Sequence, residues 1–263
     1  MALLHVNYHS DVLDLNVEMD VILPEETLGQ IGMTGTAGQT YPTLYLLHGM
    51  SDDHTIWQRR TSIERYAARY NLAVVMPSAD LSWYTDMYRG PKYFTFLTRE
   101  LPKICRGMFP RMSDRREDTF IAGLSMGGYG ALKAALRADD VYSQCAALSA
   151  AADVALWART AREDRKTYWE DVFGPAEQVE GSINDIFAAA RELKASGRPL
   201  PRVYMWCGTE DSLFNQNERM RDCLREQGYD LTWEQSPGGH SWDCWDDKIQ
   251  TVLQWLPLEG GKK

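Results

Sequence analysis

The 263-residue chain predicts a three-layer α/β/α sandwich with a mostly parallel central sheet, and two observations carry that expectation. Four compact apolar runs, Thr43 to Leu47, Leu72 to Met76, Thr119 to Ala122 and Val203 to Cys207, have the length of strands buried on both faces. Helical stretches separate them. Strand alternating with helix specifies parallel neighbours joined by right-handed crossovers, with helices covering both sides of the sheet.

Near the N-terminus, Val17, Met19, Val21 and Leu23 alternate with polar residues and stop at Pro24, the period-two pattern of a strand with one buried face. Residues 3 to 10 are expected to pair with it as a hairpin. From Glu25 to Thr40 the composition turns to Gly, Thr and Gln without apolar periodicity, which reads as an exposed loop. A last strand is expected around Tyr229 to Glu234 and a last helix from about Trp242 to Trp255. Residues 150–201 carry Trp157, the charge run Arg162 to Lys166, Tyr168 and Trp169. They read as a helical insert over the sheet's edge, or a partial lid, within one domain spanning 1–263. The charge run reads as a solvated helix face.

Composition narrows the partners. Lys and Arg number 28 against 37 for Asp and Glu, and the net charge of -9 disfavours nucleic acid and anionic membrane surfaces. A chain of this length buries enough apolar surface to need neither a structural metal nor a disulfide. The five cysteines, Cys105, Cys145, Cys207, Cys223 and Cys244, form no C-x-x-C pair and read as free, mostly buried thiols. The first residues show no basic stretch followed by a long apolar one, and no 18 apolar residues run together, so a cytoplasmic location is expected.

Chemistry enters at Gly123-Leu124-Ser125-Met126-Gly127, a G-x-S-x-G set between a short apolar strand and an Ala-rich helix running to about Arg137. A sharp strand-to-helix turn lifts the serine hydroxyl above the sheet, and glycine two residues to either side avoids a clash with neighbouring backbone. The following helix N-terminus favours an oxyanion. Ser125 is therefore the candidate nucleophile.

A serine hydroxyl needs a base, and the base needs a partner that fixes its tautomer. His5 and His9 lie in the N-terminal strand, and His48 and His54 precede the nucleophile. His240, in the glycine-rich loop after the last strand, is the candidate base. Gly208 to Ser212 follows the penultimate strand and supplies the acid, Asp211 in preference to Glu210. The order Ser, Asp, His is that of the α/β-hydrolase fold. The backbone N–H groups of Met126 and Met50 are the expected oxyanion donors, with Gly49 letting the loop turn inward and His48 bracing it. A rival reading takes His48, Asp52, Asp53 and His54 as metal ligands, but they lie on one loop with no second cluster. Trp57, Trp83, Tyr84 and Trp242 are candidates for the pocket walls beside His48 and Gly49, or for plain packing.

Six stretches carry a family resemblance: YLLHGMSDDHTIW at 45–57, TSIERYA at 61–67, SWYTDM at 82–87, IAGLSMGGYGAL at 121–132, CGTED at 207–211 and GHSWD at 239–243. They resemble the esterase D superfamily and, within it, the bacterial tributyrin esterase group. The resemblance implies a serine carboxylesterase acting on short-chain acyl esters, acetyl to butyryl, without a cofactor. It also admits feruloyl or acetyl-sugar esterases of plant polysaccharide fragments and S-formylglutathione-type thioesterases, and it leaves a homo-oligomer open. The chain departs from formylglutathione enzymes at the acid and base loops, and from secreted mycolyltransferases in lacking a signal. A non-catalytic binding protein on this fold would show a broken triad, whereas Ser125, Asp211 and His240 are all present.

Overall fold

In the computed structural model residues 1–25 and 40–258 are described, so residues 26–39 of the expected loop lie outside the described residues. Eight strands form one sheet among them: β1 (Ala2–Ser10), β2 (Leu15–Leu23), β3 (Thr43–Leu47), β4 (Ala73–Pro77), β5 (Thr119–Leu124), β6 (Gln144–Leu148), β7 (Arg202–Gly208) and β8 (Leu231–Ser236). Their order is β1-β2-β4-β3-β5-β6-β7-β8. β1 and β2 form the expected hairpin and β2 joins β4 antiparallel, while every other neighbouring pair is parallel.

Burial follows position in the sheet. The edge strand β1 alternates exposed and half-buried residues, as a strand with one solvated face must, whereas β3 to β6 are buried throughout. On one face Tyr45, Val75, Ile121, Ala147 and Met205 pack under the helices Met126–Arg137 and Ile186–Ala195. On the other, Leu46, Val74, Phe120 and Trp206 pack under Ile56–Arg60, Ile63–Ala67 and Trp242–Trp255. Each fully buried Leu, Ile, Val or Phe in these layers contributes roughly 1.5–3 kcal/mol relative to exposure. The fold is a three-layer α/β/α sandwich, and the last helix has the expected bounds.

The sequence reading omitted β6. Its Gln-Cys-Ala-Ala-Leu stretch has little β-branched or aromatic character, so it does not announce a strand. Small side chains belong there because Ala146 and Ala147 lie in the middle of the sheet with a helix layer over each face. Between β6 and β7 the chain forms Val154–Thr160, Lys166–Phe173, Ala176–Val179 and Ile186–Ala195. Asp153 caps the first through Leu156 N–H and Asp185 caps the last through Phe187 and Ala188 N–H. Four cysteines are buried free thiols and Cys244 is half-buried.

Candidate active site

Strand order reverses between β3 and β5, since β3 leads outward to β4 while β5 leads the other way to β6. Loops leaving the carboxyl ends of two such strands diverge and open a crevice. The loop after β3 carries Gly49 and Met50, and the turn after β5 carries Ser125.

Ser125 sits at φ 54°, ψ -116°, a left-handed conformation that a non-glycine residue adopts only under constraint. The constraint is visible. Ser125 N–H donates to Leu148 O at 2.9 Å, and Ser125 O accepts from Tyr129 and Ala151 N–H. A Cβ on Gly123 would lie 2.4 Å from Gly127 O, and one on Gly127 would lie 2.6 Å from both His48 O and Leu47 O. The two flanking glycines therefore let helix and strands close on the turn until only one backbone path remains.

His240 lies in the loop between β8 and the last helix. Its Nε2 is 3.0 Å from Ser125 Oγ and its Nδ1 is 2.9 Å from Asp211 Oδ2. Asp211 is buried in the turn after β7, where its other oxygen accepts from Leu213 N–H at 2.8 Å. Burial works to raise its pKa, but hydrogen bonds from His240, Leu213 N–H and the Ser149 hydroxyl outweigh it and hold the carboxyl below its ordinary value. Asp211 thus stays charged against the imidazole, and its oxygen fixes Nδ1 as the protonated nitrogen, leaving Nε2 to accept a proton from Ser125. Glu210 is exposed and takes no part in this chain of hydrogen bonds.

Met50 N–H lies in the loop after β3 and Met126 N–H opens the helix after Ser125, and neither donates a hydrogen bond among the described residues. His48 is wholly buried behind that loop. Its Nδ1 donates to Gly49 O at 2.7 Å and its Nε2 accepts from Ala79 N–H at 2.9 Å, and burial lowers its pKa, so it braces the loop as a neutral ring.

The pocket at Ser125 measures about 320 Å³ and is lined by Gly49, Met50, Asp52, Leu124, Ser125, His240, Trp242 and Trp245. Gly49 and Trp242 hold the wall positions expected of them. His48, Trp57, Trp83 and Tyr84 do not; all four are buried in packing behind it. Trp57 donates its indole N–H to Leu47 O, Trp83 donates to Tyr168 Oη, and Tyr84 donates to His48 O. Nearness to a motif in sequence does not say which way a side chain faces. Nor do His48, Asp52, Asp53 and His54 converge: His48 spends both ring nitrogens on backbone, and His54 turns to Ser78 Oγ at 2.8 Å. No group of three or more metal-ligating side chains assembles among the described residues.

Four residues were missed as site components, Leu124 of the pocket wall among them. Trp245 packs against the His240 ring and donates its indole N–H to Ser149 Oγ at 3.2 Å. Ser149, at the end of β6, in turn supports Asp211. Asp52, read only as a rival metal ligand, lines the pocket. The sequence signal for Trp245 was its place on the helix that follows the base loop.

A family model described as "Putative esterase" matches residues 10–256. The chain belongs to this esterase family. An acetyl esterase of Caldicellulosiruptor saccharolyticus is 34% identical over 262 residues, covering 97% of this esterase and 98% of the relative. The substrate-bound fluorophosphonate-binding serine hydrolase F of Staphylococcus aureus superposes with TM-score 0.86 at 33% identity, covering 97% and 98% of the two chains. An S-formylglutathione hydrolase apoenzyme from the same organism gives TM-score 0.84, again at 33% identity and with the same coverage. The likeness to a chain so titled is as close as to the others, so the departure at the acid and base loops does not by itself set this esterase apart from formylglutathione enzymes.

Proposed function

We propose that this esterase is a serine carboxylesterase of short-chain acyl esters, acetyl to butyryl, working through an acyl-enzyme on Ser125. The observation that carries the reading is the unbroken hydrogen-bonded sequence Ser125 Oγ, His240, Asp211 at the floor of an open pocket. Ser125 attacks the ester carbonyl while His240 Nε2 takes its proton, and the N–H groups of Met50 and Met126 receive the oxyanion. His240 then hands the proton to the leaving alkoxide, and water repeats both steps on the acyl-enzyme. Asp211 keeps its charge throughout. The pocket volume supports a small acyl group, standing at the low end of the roughly 300–1,000 Å³ typical of small-molecule sites.

The reading extends to a tributyrin-esterase type of activity in the cytoplasm, on a single domain whose residues 150–201 form a helical insert or partial lid. Among the described residues no helix is long and apolar enough to cross a membrane. Ser125→Ala is expected to lower kcat on p-nitrophenyl butyrate by several orders of magnitude with an unchanged unfolding midpoint. The same variant should lose labelling by a fluorophosphonate probe. Near-normal turnover in Ser125→Ala rejects the reading.

A thioester variant of the reading is favoured by one observation, the likeness to the Staphylococcus aureus chain titled S-formylglutathione hydrolase. It uses the same side chains and differs only in the leaving group. Parallel kcat/KM values for S-formylglutathione and an acetyl ester decide between them.

A further inference from the structure

Asp52 is half-buried in the wall of the Ser125 pocket, yet its carboxylate accepts no hydrogen bond and makes no ion pair among the described residues. Its position is fixed by the loop after β3. A Cβ built on Gly49 would lie 3.3 Å from Asp52 Oδ2 and 3.8 Å from Ser125 Cβ. Those two distances place the carboxylate oxygen within about 7 Å of Ser125 Cβ, comparable with the ~8 Å over which charge is felt at physiological salt. Among the described residues it is the only acidic side chain in that wall. Asp211 lies behind His240, with its charge met by the imidazole and two other donors.

A carboxylate left without a partner in a water-exposed protein wall is cheap only while water or a ligand solvates it. Burial and the neighbouring Asp53 both disfavour its charge, and the more distant Arg60 and Arg59 offset only part of that, so its pKa stands above the ordinary value. It nonetheless belongs to a group that is ionised at neutral pH. A substrate closing the pocket displaces its water and must offer something in exchange. A hydroxyl, an amide N–H or a cation can do so, whereas a second carboxylate adds repulsion in a site where the dielectric has just fallen.

Resting on the serine-esterase reading, we propose that Asp52 is a specificity-determining residue that selects neutral, hydrogen-bond-donating or cationic esters and rejects esters bearing a negative charge beside the scissile bond. The effect is local. The net charge of -9 repels anions from the whole molecule, but that field is spread over the surface and screened, whereas Asp52 acts from within the pocket wall.

Two pairs of esters of like shape test it: 4-acetoxybenzoate against 4-acetoxybenzamide, and p-nitrophenyl hemisuccinate against p-nitrophenyl butyrate. For wild type, kcat/KM should favour the neutral member of each pair, and the preference should narrow in 0.5 M salt (about a 4 Å screening length). In Asp52→Asn the anionic-to-neutral ratio should rise about fivefold to tenfold in at least one pair. Glu163→Gln, which removes one charge from an exposed turn outside the pocket, should leave both ratios within twofold of wild type. Ratios in Asp52→Asn that stay within twofold in both pairs overturn the proposal, as does an equal loss on both members, which means a purely structural role. Should wild type hydrolyse neither neutral ester, the esterase reading itself has failed and the proposal falls with it.

Discussion

The indole of Trp245 stands edge-on to the imidazole of His240, with ring centroids 4.8 Å apart and planes at 89°. The same indole donates to Ser149 Oγ, and Ser149 supports Asp211. One side chain thus steadies both the candidate base and the acid behind it, which makes Trp245 a positioning residue.

Trp245→Phe keeps an aromatic edge against the ring and loses the N–H, while Trp245→Leu loses both. The expected falls in kcat on p-nitrophenyl acetate are about tenfold and about a hundredfold, because an ångström of misplacement at a reacting group costs up to that much. KM should move far less than kcat. Equal kcat for both variants and wild type shows that the contact is packing without consequence for the base.

Asp211→Asn keeps the shape of the turn but removes the charge and the preference for a proton on Nδ1. Turnover should fall about 10³- to 10⁴-fold. Stability supplies a second readout. The folded carboxyl titrates below its unfolded value near 4, so its contribution is complete above that value and is lost as pH falls through the lower folded one. Urea unfolding of wild type and variant should therefore converge as pH drops below about 4. A constant gap from pH 6 to pH 3 excludes this linkage.

Lys133 is another buried ionisable group whose pKa is shifted by its surroundings. It lies in the helix after Ser125 and donates to Thr85 Oγ1 and Asn184 Oδ1, and burial pulls its pKa from 10.5 to about 7. Above pH 7 the unfolded chain keeps the proton that the folded chain sheds, so wild-type stability gains with pH, by up to ~1.4 kcal/mol per unit. Lys133→Met lacks that gain. The stability of wild type relative to the variant should rise between pH 7 and 9 and stay level below pH 6. A pH-independent difference rules out the depressed pKa.

The parts of the molecule that followed from sequence are those governed by local rules. Apolar runs with turn signals located β3, β4, β5 and β7, and glycines spaced around Ser125 located the elbow. β6 escaped because its alanines are chosen by the crowding of helices over both its faces, a tertiary requirement that leaves no local propensity. The pocket walls escaped for a related reason. Trp57 and Trp242 meet edge to face at 5.2 Å, yet one is sealed in the core and the other borders the crevice. Which partner is outermost depends on how the last helix docks across the sheet, and that docking joins residues nearly two hundred positions apart. Ser149 was invisible because only the fold brings the end of β6 beneath Asp211.

Ser125, Asp211 and His240 hang from the ends of β5, β7 and β8, with the first and the last 115 positions apart. β5 is joined to β7 and β8 only through β6, which pairs with both β5 and β7. During refolding, then, catalysis should be among the final signals to return, trailing the far-ultraviolet ellipticity recovered as helices form. An ester added to the refolding mixture becomes a clock for completion of the sheet.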